Sequence, residues 1–285
     1  MSIKLENVSY TYMKNTPYER TALKEVTLTI EKGEYVAVIG HTGSGKSTLM
    51  QHLNGLLKPD LGKAFVDDVD INGKAAAAKT AKNRVGMVFQ YPEHQIFAET
   101  VYEDVAFGPR NKGLAEEEVE VQVKAALKFV GLDYDSFASR SPFQLSGGQM
   151  RRVAIAGVVA MEPDYLILDE PSAGLDPCSR DSIFREINEL YQTRKMAVIL
   201  VTHSMEEAAQ YARRLLVMSK GRIVIDGSSA EVFQNQREML SSVGVDVPQT
   251  IKLADTLREH GLQIGKDILR IDELVNQIKK EKGWL

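Results

Sequence analysis

A glycine-rich loop between an apolar run and a polar helical segment constrains the fold of this chain more than any other feature. The loop follows the pattern of glycine, four residues, then Gly-Lys-Ser without exception. Its residues are Gly40, His41, Thr42, Gly43, Ser44, Gly45, Lys46, Ser47 and Thr48. Glycines let the backbone N–H groups point inward at an anion, and a following helix adds its positive end. The pattern therefore predicts a phosphate-binding loop.

The sequence on both sides of the loop supports this prediction over a chance glycine turn with a surface lysine. Residues 35–39 are continuously apolar, which favours a buried central strand, and residues 46–57 favour a helix. In such a loop Lys46 would reach the β- and γ-phosphates of a nucleoside triphosphate, and Ser47 would place its hydroxyl on Mg²⁺.

A second apolar strand is predicted at residues 165–168, and two acids follow it directly. An acid at the carboxyl end of such a strand lies beside the phosphate loop in parallel sheets. Asp169 would hold Mg²⁺, directly or through water, and Glu170 would polarise the attacking water. Alone, this pattern is equally typical of solvated charges at a strand end, so its meaning depends on the surrounding motifs.

A second glycine turn, Leu-Ser-Gly-Gly-Gln at residues 145–149, precedes that strand. A bare Ser-Gly-Gly is usually a flexible turn, but here it opens a predicted helix, where backbone N–H groups form an anion site. Its length and position resemble the signature of ATP-binding-cassette (ABC) ATPases. In that family the signature faces the γ-phosphate held by the opposite subunit, which implies ATP as cofactor and a dimer. The residues concerned are Ser146, Gly147, Gly148 and Gln149.

The resemblance implies roles for three further residues, each of which would otherwise be unremarkable. Gln90 is similar to the glutamine that contacts Mg²⁺ and the attacking water. His203 resembles the switch histidine that holds the γ-phosphate, and Asp176 lies in a loop that couples the two sites of the dimer. The implied catalytic set is therefore Glu170, His203, Gln90 and Lys46, and the implied metal set is Ser47, Gln90 and Asp169.

One tyrosine is expected to stack on adenine, as an aromatic residue does in this family. Tyr12 resembles it in position. Tyr10 and Tyr18 lie close by, and any of the three is equally compatible with a core or surface position.

The resemblance covers residues 3–232 and implies an α/β fold, the P-loop NTPase ABC cassette. This has a RecA-like core, an antiparallel β subdomain and a helical signature subdomain. We expect the nucleotide-binding domain to span residues 1–228, with the helical part at about residues 91–160. Residues 229–285 would form a small C-terminal helical region for dimerisation or an accessory role. Two ATP molecules would lie between two cassettes, and their hydrolysis would drive a partner.

The stretch after Gln90 resembles the ATPase subunits of energy-coupling factor (ECF) transporters, and within them the second ATPase type. It reads Tyr-Pro-Glu-His-Gln-Ile-Phe at residues 91–97 and continues to residue 108. The resemblance implies three partners: a homologous, non-identical cassette, a transmembrane coupling subunit and substrate-binding membrane subunits for vitamins or transition-metal ions. It also implies a peripheral position on the cytoplasmic face of the cell membrane. The best candidates for contacts are Gln95, Ile96 and Phe97, whereas Glu93 and His94 fit a solvent-facing position equally well.

Two alternatives remain at this point. One is a cassette of a cobalt, nickel or unrelated importer, and the other is a soluble ABC protein acting on ribosomes or DNA. The second class usually carries two cassettes or a long coiled coil, and this chain shows neither. Its net charge of −4 and pI of 5.8 also give no support to a nucleic-acid partner. Cys178 is the single cysteine, so an internal disulfide is excluded and a partly buried structural thiol is expected.

Overall fold

The structure is a computed structural model that describes residues 1–284. Within these residues, ten strands form two sheets. The strands are β1 (Ser2–Tyr12), β2 (Arg20–Glu31), β3 (Tyr35–Ile39), β4 (Leu61–Val66), β5 (Val69–Asp70), β6 (Val85–Val88), β7 (Tyr165–Asp169), β8 (Ala197–Val201), β9 (Arg214–Ser219) and β10 (Arg222–Ser228).

The same part of the chain contains twelve α-helices, and single 3₁₀ turns lie at Pro92–Gln95 and Pro142–Gln144. None of these helices is both long enough and apolar enough to span a bilayer. The helices are α1 (Lys46–Leu53), α2 (Ala76–Lys82), α3 (Val101–Asn111), α4 (Glu116–Phe129), α5 (Tyr134–Phe137), α6 (Gly147–Val159), α7 (Pro177–Arg194), α8 (Met205–Tyr211), α9 (Ser229–Asn235), α10 (Arg237–Ser242), α11 (Gln249–Glu259) and α12 (Ile271–Glu281).

The larger sheet has the order β10-β9-β3-β8-β7-β6, and only the β9–β10 hairpin is antiparallel. Strand β3 is buried on both faces: Tyr35 and Ala37 join one core cluster, whereas Val36 and Val38 join the other. This explains its uninterrupted apolar sequence. Because parallel strands end at the same edge, the loops after β3, β6, β7 and β8 meet there.

The smaller sheet is antiparallel, with the order β2-β1-β4-β5. The last residue of β1, Tyr12, pairs with the first residue of β2, Arg20. Helix α1 lies between the two sheets, and its residues Leu49, Met50 and Leu53 share one core with both. The smaller sheet thus stands beside the phosphate loop at the amino end of α1.

A helical segment built on α3, α4 and α6 lies between β6 and β7 in the sequence. Apolar side chains of these helices pack together and extend the core of the larger sheet, among them Val105, Val123 and Val153. The segment is tied to the sheet through α6, which contacts β6 and the 3₁₀ turn at Pro92–Gln95.

Three predicted elements differ in extent from those observed. Helix α1 ends at Leu53, four residues before the predicted 57, because the chain turns at Gly55 with a left-handed φ of 71°. The sequence of residues 64–71 favours a single strand, but the structure has a hairpin there, since Asp67 and Asp68 both have positive φ, as a two-residue turn requires. The sequence of residues 229–240 favours one continuous helix, but the helix is broken at Gln236 into α9 and α10. The expectation that Cys178 is partly buried is also wrong, because its side chain is exposed at the start of α7.

The C-terminal region contributes to two cores. Side chains from α9 to the start of α11, including Phe233, Leu240 and Ile251, are buried in the core of the larger sheet. A separate small cluster joins Ala254 of α11 to Leu274 of α12. Packing against the cassette therefore continues beyond residue 228, and a second, smaller cluster begins near residue 254.

Candidate functional site

The loop after β3 has the backbone shape that a phosphate cradle needs. Gly40 has a φ of 149° and Gly45 a φ of 109°, and Gly45 immediately precedes α1. A Cβ at Gly40 would collide with the carbonyl oxygen of Met218, so only glycine fits there. The buried Ser44 hydroxyl has no hydrogen-bond partner among the described residues. A loop with an unsatisfied buried hydroxyl at the positive end of a helix suits an anion.

Lys46 lies folded back over this loop. Its Nζ donates to the carbonyl oxygens of Gly40 at 2.7 Å and His41 at 3.3 Å, and its side chain is buried. Burial lowers the pKa of Lys46, and the neighbouring carboxylates of Glu170 and Asp169 oppose that shift. The ammonium group is thus partly desolvated and held beside the space in which a phosphate would lie.

Glu170 is the point at which three loops of the larger sheet converge. Nε2 of Gln90, after β6, donates to Oε2 of Glu170 at 3.0 Å, and Nε2 of His203, after β8, lies 2.8 Å from Oε1. Glu170 itself follows β7 and has a left-handed φ of 49°, with its N–H bonded to the carbonyl oxygen of Val201. Such a conformation is disfavoured for a residue with a Cβ and has to be stabilised by contacts with its surroundings.

Asp169 lies beneath this cluster and is 8% exposed. Burial raises its pKa and the charge of Glu170 adds to the shift, while the hydroxyl of Ser47 and the ammonium of Lys46 oppose it. Two adjacent carboxylates, one of them buried, create a local excess of negative charge.

A cleft of about 310 Å³ opens above these groups. Tyr12 lines it and its hydroxyl lies 3.2 Å from Oγ1 of Thr48. Tyr10 packs instead against the core and against the ring of Tyr12, with centroids 4.8 Å apart. Tyr18 is 78% exposed and does not line the cleft. The lining residues are Tyr12, Arg20, Ala22, Thr42, Gly43, Gly45, Lys46, Ser47, Thr48, Gln90, Glu170 and His203.

Arg20 is a cleft residue that sequence reasoning missed, because residues 13–20 are polar and contain a proline, which favours a loop. Its Nη2 donates to the carbonyl oxygen of Gly43 at 3.3 Å, and it pairs with Tyr12 across the two strands. The alternating patterns of β1 and β2 are the signal that could have found it. An antiparallel pairing that matches the end of β1 with the start of β2 places Arg20 opposite Tyr12. Ala22 of β2 also lines the cleft.

The signature residues and Asp176 lie outside this cleft. Ser146 caps α6: its Oγ accepts from the N–H of Gln149, whose side chain in return accepts from the N–H of Ser146. A Cβ added at Gly147 or Gly148 would meet no atom within 4 Å. Asp176 caps α7 by accepting from the N–H of Ser179 at 3.0 Å, and such hydrogen bonds lower the pKa of this exposed carboxyl. Within the chain, these groups therefore serve a different surface from that of Lys46 and Glu170.

Comparison with known proteins agrees with this geometry. The family model described as ABC transporter matches residues 23–173. The energy-coupling factor transporter ATP-binding protein EcfA2 of Clostridium tetani is 52% identical over 280 residues, which cover 98% of this chain and 97% of that protein. The protein of the same name from Clostridium acetobutylicum is 55% identical over 278 residues, with coverage of 98% and 97%.

Solved structures show the same fold. The cbiO1 protein of Clostridium perfringens, part of the ABC transporter complex cbiONQ, matches with a TM-score of 0.73 and 37% identity over 89% of this chain and 98% of that one. A dimeric bacterial ABC transporter cassette matches with a TM-score of 0.71 and 30% identity, over 80% of this chain and 98% of that one.

These likenesses confirm the predicted fold class and the prediction that the chain is an ATPase that binds ATP. They also agree with the sequence-based expectation of a cassette dimer with membrane partners. The chain belongs to the family of ATP-binding subunits of energy-coupling factor transporters, within the ABC transporters.

Proposed function

We propose that the cleft beside Lys46 hydrolyses ATP with Glu170 as the group that polarises the attacking water. The observation that carries this proposal is the convergence of Gln90 and His203 on the two carboxylate oxygens of Glu170. A carboxylate fixed at both oxygens is positioned before substrate arrives, and positioning is the main protein contribution to phosphoryl transfer. Lys46 and His203 would hold the γ-phosphate.

The same cleft would hold Mg²⁺ through Ser47, Gln90 and Asp169. These side chains offer hydroxyl, amide and carboxylate oxygens, which are the donors that a hard cation prefers. The pKa of buried Asp169 is raised because its negative charge is poorly stabilised by the surroundings, and a bound cation would stabilise that charge. The described residues contain no cluster of three or more His, Cys, Asp or Glu fit for a metal, so one carboxylate together with phosphate oxygens is the expected ligand set. When bound, Mg²⁺ would neutralise charge on the phosphate oxygens.

The turn formed by residues 146–149 would complete the cleft of a second cassette. Its helix start is exposed and does not line this chain's own cleft, so it is available to a nucleotide held by another subunit. Asp176 would couple the two sites. In line with the EcfA2-type relatives, the second cassette would be homologous and non-identical.

A groove of about 550 Å³ between the 3₁₀ turn, α3 and α6 would receive a helix of a transmembrane coupling subunit. Phe97 and Phe107 are 61% and 50% exposed there, and their rings lie edge to face with centroids 4.9 Å apart. Asp104 fixes the wall of the groove by accepting from the N–H groups of Phe97 and Ala98. Exposed aromatic pairs are typical anchors for a partner helix.

The candidate contacts differ in exposure. Gln95 and Phe97 face solvent, whereas Ile96 is 7% exposed and lines the floor of the groove. Glu93 is half-buried against Arg151, while His94 is exposed.

The complex would import vitamins or transition-metal ions through substrate-binding membrane subunits, with this chain peripheral on the cytoplasmic face of the membrane. Residues 1–228 would act as the nucleotide-binding domain, and residues 229–285 as the dimerisation or accessory region. The separate cluster around Ala254 and Leu274 supports an independent role for the last helices.

The test is an affinity purification of the tagged chain from detergent-solubilised native membranes, followed by mass spectrometry. A second, different cassette with a coupling subunit and small membrane proteins is the expected result. Copurification of the chain with itself alone, or with ribosomal proteins, would contradict the transport proposal while leaving the ATPase in place.

A further inference from the structure

Arg151 connects three segments that carry the proposed active-site groups. It lies in α6 with its side chain only 3% exposed. Its Nε and Nη2 donate to the two carboxylate oxygens of Glu93 at 2.9 and 2.8 Å. Its Nη1 donates to the carbonyl oxygens of Pro171 at 3.3 Å and Ala173 at 2.7 Å. One guanidinium thus joins the signature helix to the segment after Gln90 and to the segment after Glu170.

Both of these segments contain a residue in the left-handed conformation. Glu170 has a φ of 49°, and Tyr91, which directly follows Gln90, has a φ of 53°. Neither residue is glycine, so each conformation needs support from its surroundings. Arg151 supplies contacts beside both, because its guanidinium lies 5.8 Å from the ring centroid of Tyr91 and bonds the carbonyl that follows Glu170.

The two segments also touch each other. A Cβ built at Gly174 would lie 3.5 Å from Cε1 of Tyr91, so the tyrosine ring rests against the loop that leads to Asp176. The guanidinium of Arg151, on α6, bonds both segments and so holds them together. A shift of the 3₁₀ turn at Pro92–Gln95 would therefore displace the loop after Glu170.

Only arginine fits these contacts. A planar guanidinium offers five N–H groups in fixed directions, and here the directions match a carboxylate on one side and backbone carbonyls on the other. A lysine carries its three donors on one atom and would satisfy one side at most. Burial by itself raises the pKa of Glu93, but the hydrogen bonds and charge of Arg151 outweigh it and the net pKa is lowered. The carboxylate is therefore the ionised partner that the guanidinium requires.

We propose that Arg151 and Glu93 are positioning residues for ATP hydrolysis, which hold the backbone beside Gln90 and Glu170 in the geometry for reaction. The inference rests on the proposed roles of Gln90 and Glu170. Because α6 begins at the signature turn, closure of a second cassette on that turn is passed through the guanidinium to the chain's own cleft. The pair acts on turnover and leaves the nucleotide contacts of Lys46 unchanged.

The experiment compares Arg151→Lys, Glu93→Gln and the double variant in the full chain, purified with the subunits that copurify. Arg152→Lys is the matched control, since Arg152 neighbours Arg151 on α6 but bonds Val130 and Ser182 instead. The measurements are kcat, KM for ATP, and Tm. Glu170→Gln is measured alongside.

We expect each single variant to lower kcat by about tenfold to a hundredfold, as small misplacements of reacting groups do, with KM for ATP changed by less than about twofold. The double variant should be no slower than the slower single one, because the two residues act as a unit. Arg152→Lys should keep the wild-type kcat.

A kcat near the wild-type value in both single variants would overturn the proposal, and so would a loss that Arg152→Lys reproduces. If Arg151→Lys does not fold, Glu93→Gln alone decides between these outcomes. Wild-type turnover by Glu170→Gln would overturn the catalytic assignment on which the inference rests. A loss confined to Glu170→Gln would overturn only the positioning role.

Discussion

Nε2 of His203 lies 2.8 Å from Oε1 of Glu170, across the ends of two neighbouring parallel strands. With Gln90 on the other oxygen, the Glu170 side chain is engaged on both sides by groups of its own chain. A γ-phosphate in the cleft would compete with Glu170 for His203. Arrival of ATP would then release one carboxylate oxygen for the attacking water.

Replacing Glu170 with glutamine should separate ATP binding from hydrolysis. The amide keeps the shape of the side chain but accepts a proton poorly, so turnover should fall by about 10²–10⁴-fold. Affinity for ATP should stay near the wild-type value, and ATP should trap a closed dimer. Steady-state ATPase assays and size-exclusion chromatography with ATP measure these effects. Turnover at the wild-type rate would show that Glu170 is not the group that acts on water.

Removing the ring of Tyr12 should weaken nucleotide binding, because Tyr12 is the one of the three candidate tyrosines that lines the cleft. Loss of aromatic stacking corresponds to a roughly threefold to tenfold higher Kd for ATP in Tyr12→Ala. Arg20→Ala should also raise Kd, through loss of a cleft cation. The control is Tyr18→Ala, whose side chain is exposed. Fluorescence titration with a labelled ATP analogue measures Kd, and an equal effect at Tyr18 would contradict the assignment.

Shortening Gln95 or Phe97 to alanine should impair transport more than basal ATPase activity. Both side chains are exposed beside the groove, and neither lines the nucleotide cleft. Uptake into proteoliposomes and ATPase activity of the same preparation should be measured together. Equal loss of both activities would place this segment in the active site or the core.

Replacing Asp169 with asparagine should stabilise the nucleotide-free protein while abolishing Mg²⁺-dependent turnover. Burial and the charge of Glu170 raise the pKa of Asp169, so carrying its ionised form costs more in the folded state than in the unfolded state above the ordinary pKa of 3.8. A gain of about 1 kcal/mol would raise Tm by roughly 2–4 °C. Exposed Asp267 gives the control, Asp267→Asn, which should leave Tm unchanged. A lower Tm for Asp169→Asn in a metal-free buffer would contradict the charge argument.

The stability difference between the wild type and Glu93→Gln should depend on pH. The folded-state pKa of Glu93 lies below its ordinary value of 4.5, so the stability that the ionised group contributes is complete above that value and is lost as pH falls through the lowered one. Urea unfolding of both proteins from neutral pH downward measures the difference. It should be largest near neutrality and shrink in acid, whereas a constant difference would mean that the charge of Glu93 is not its source.

Motifs with a fixed local geometry could be predicted from the sequence. The loop from Gly40 to Ser47 and the acids after β7 depend on the order of residues along the chain, and the parallel sheet brings them to one edge. Strand Tyr35–Ile39 was predicted with its observed bounds, since burial on both faces leaves a continuous apolar run.

Features that depend on contacts between distant segments could not be predicted. Arg20 reaches the cleft only because β1 and β2 pair in one register. From the sequence, Arg151 is indistinguishable from any other cation on a helix, and only the fold brings Glu93 beside it.

Two helices have weak local signals in the sequence. Helix α2 is not predicted because it begins without a capping side chain or an acidic first turn. Helix α3 carries Pro109 in its interior, which weakens the helical pattern.

The signature turn lies apart from the chain's own cleft, and this has a genetic consequence. In the proposed pair of cassettes, a lesion at Gly147 would spare the nucleotide contacts of the chain that carries it and disable the site of the subunit facing it. If the two cassettes are non-identical, the signature encoded by each gene would then be needed for hydrolysis at the phosphate loop encoded by the other gene. A phosphate-loop lesion in one gene and a signature lesion in the other would therefore fall in the same site and spare the second site. Lesions in both motifs of one gene would disable both sites.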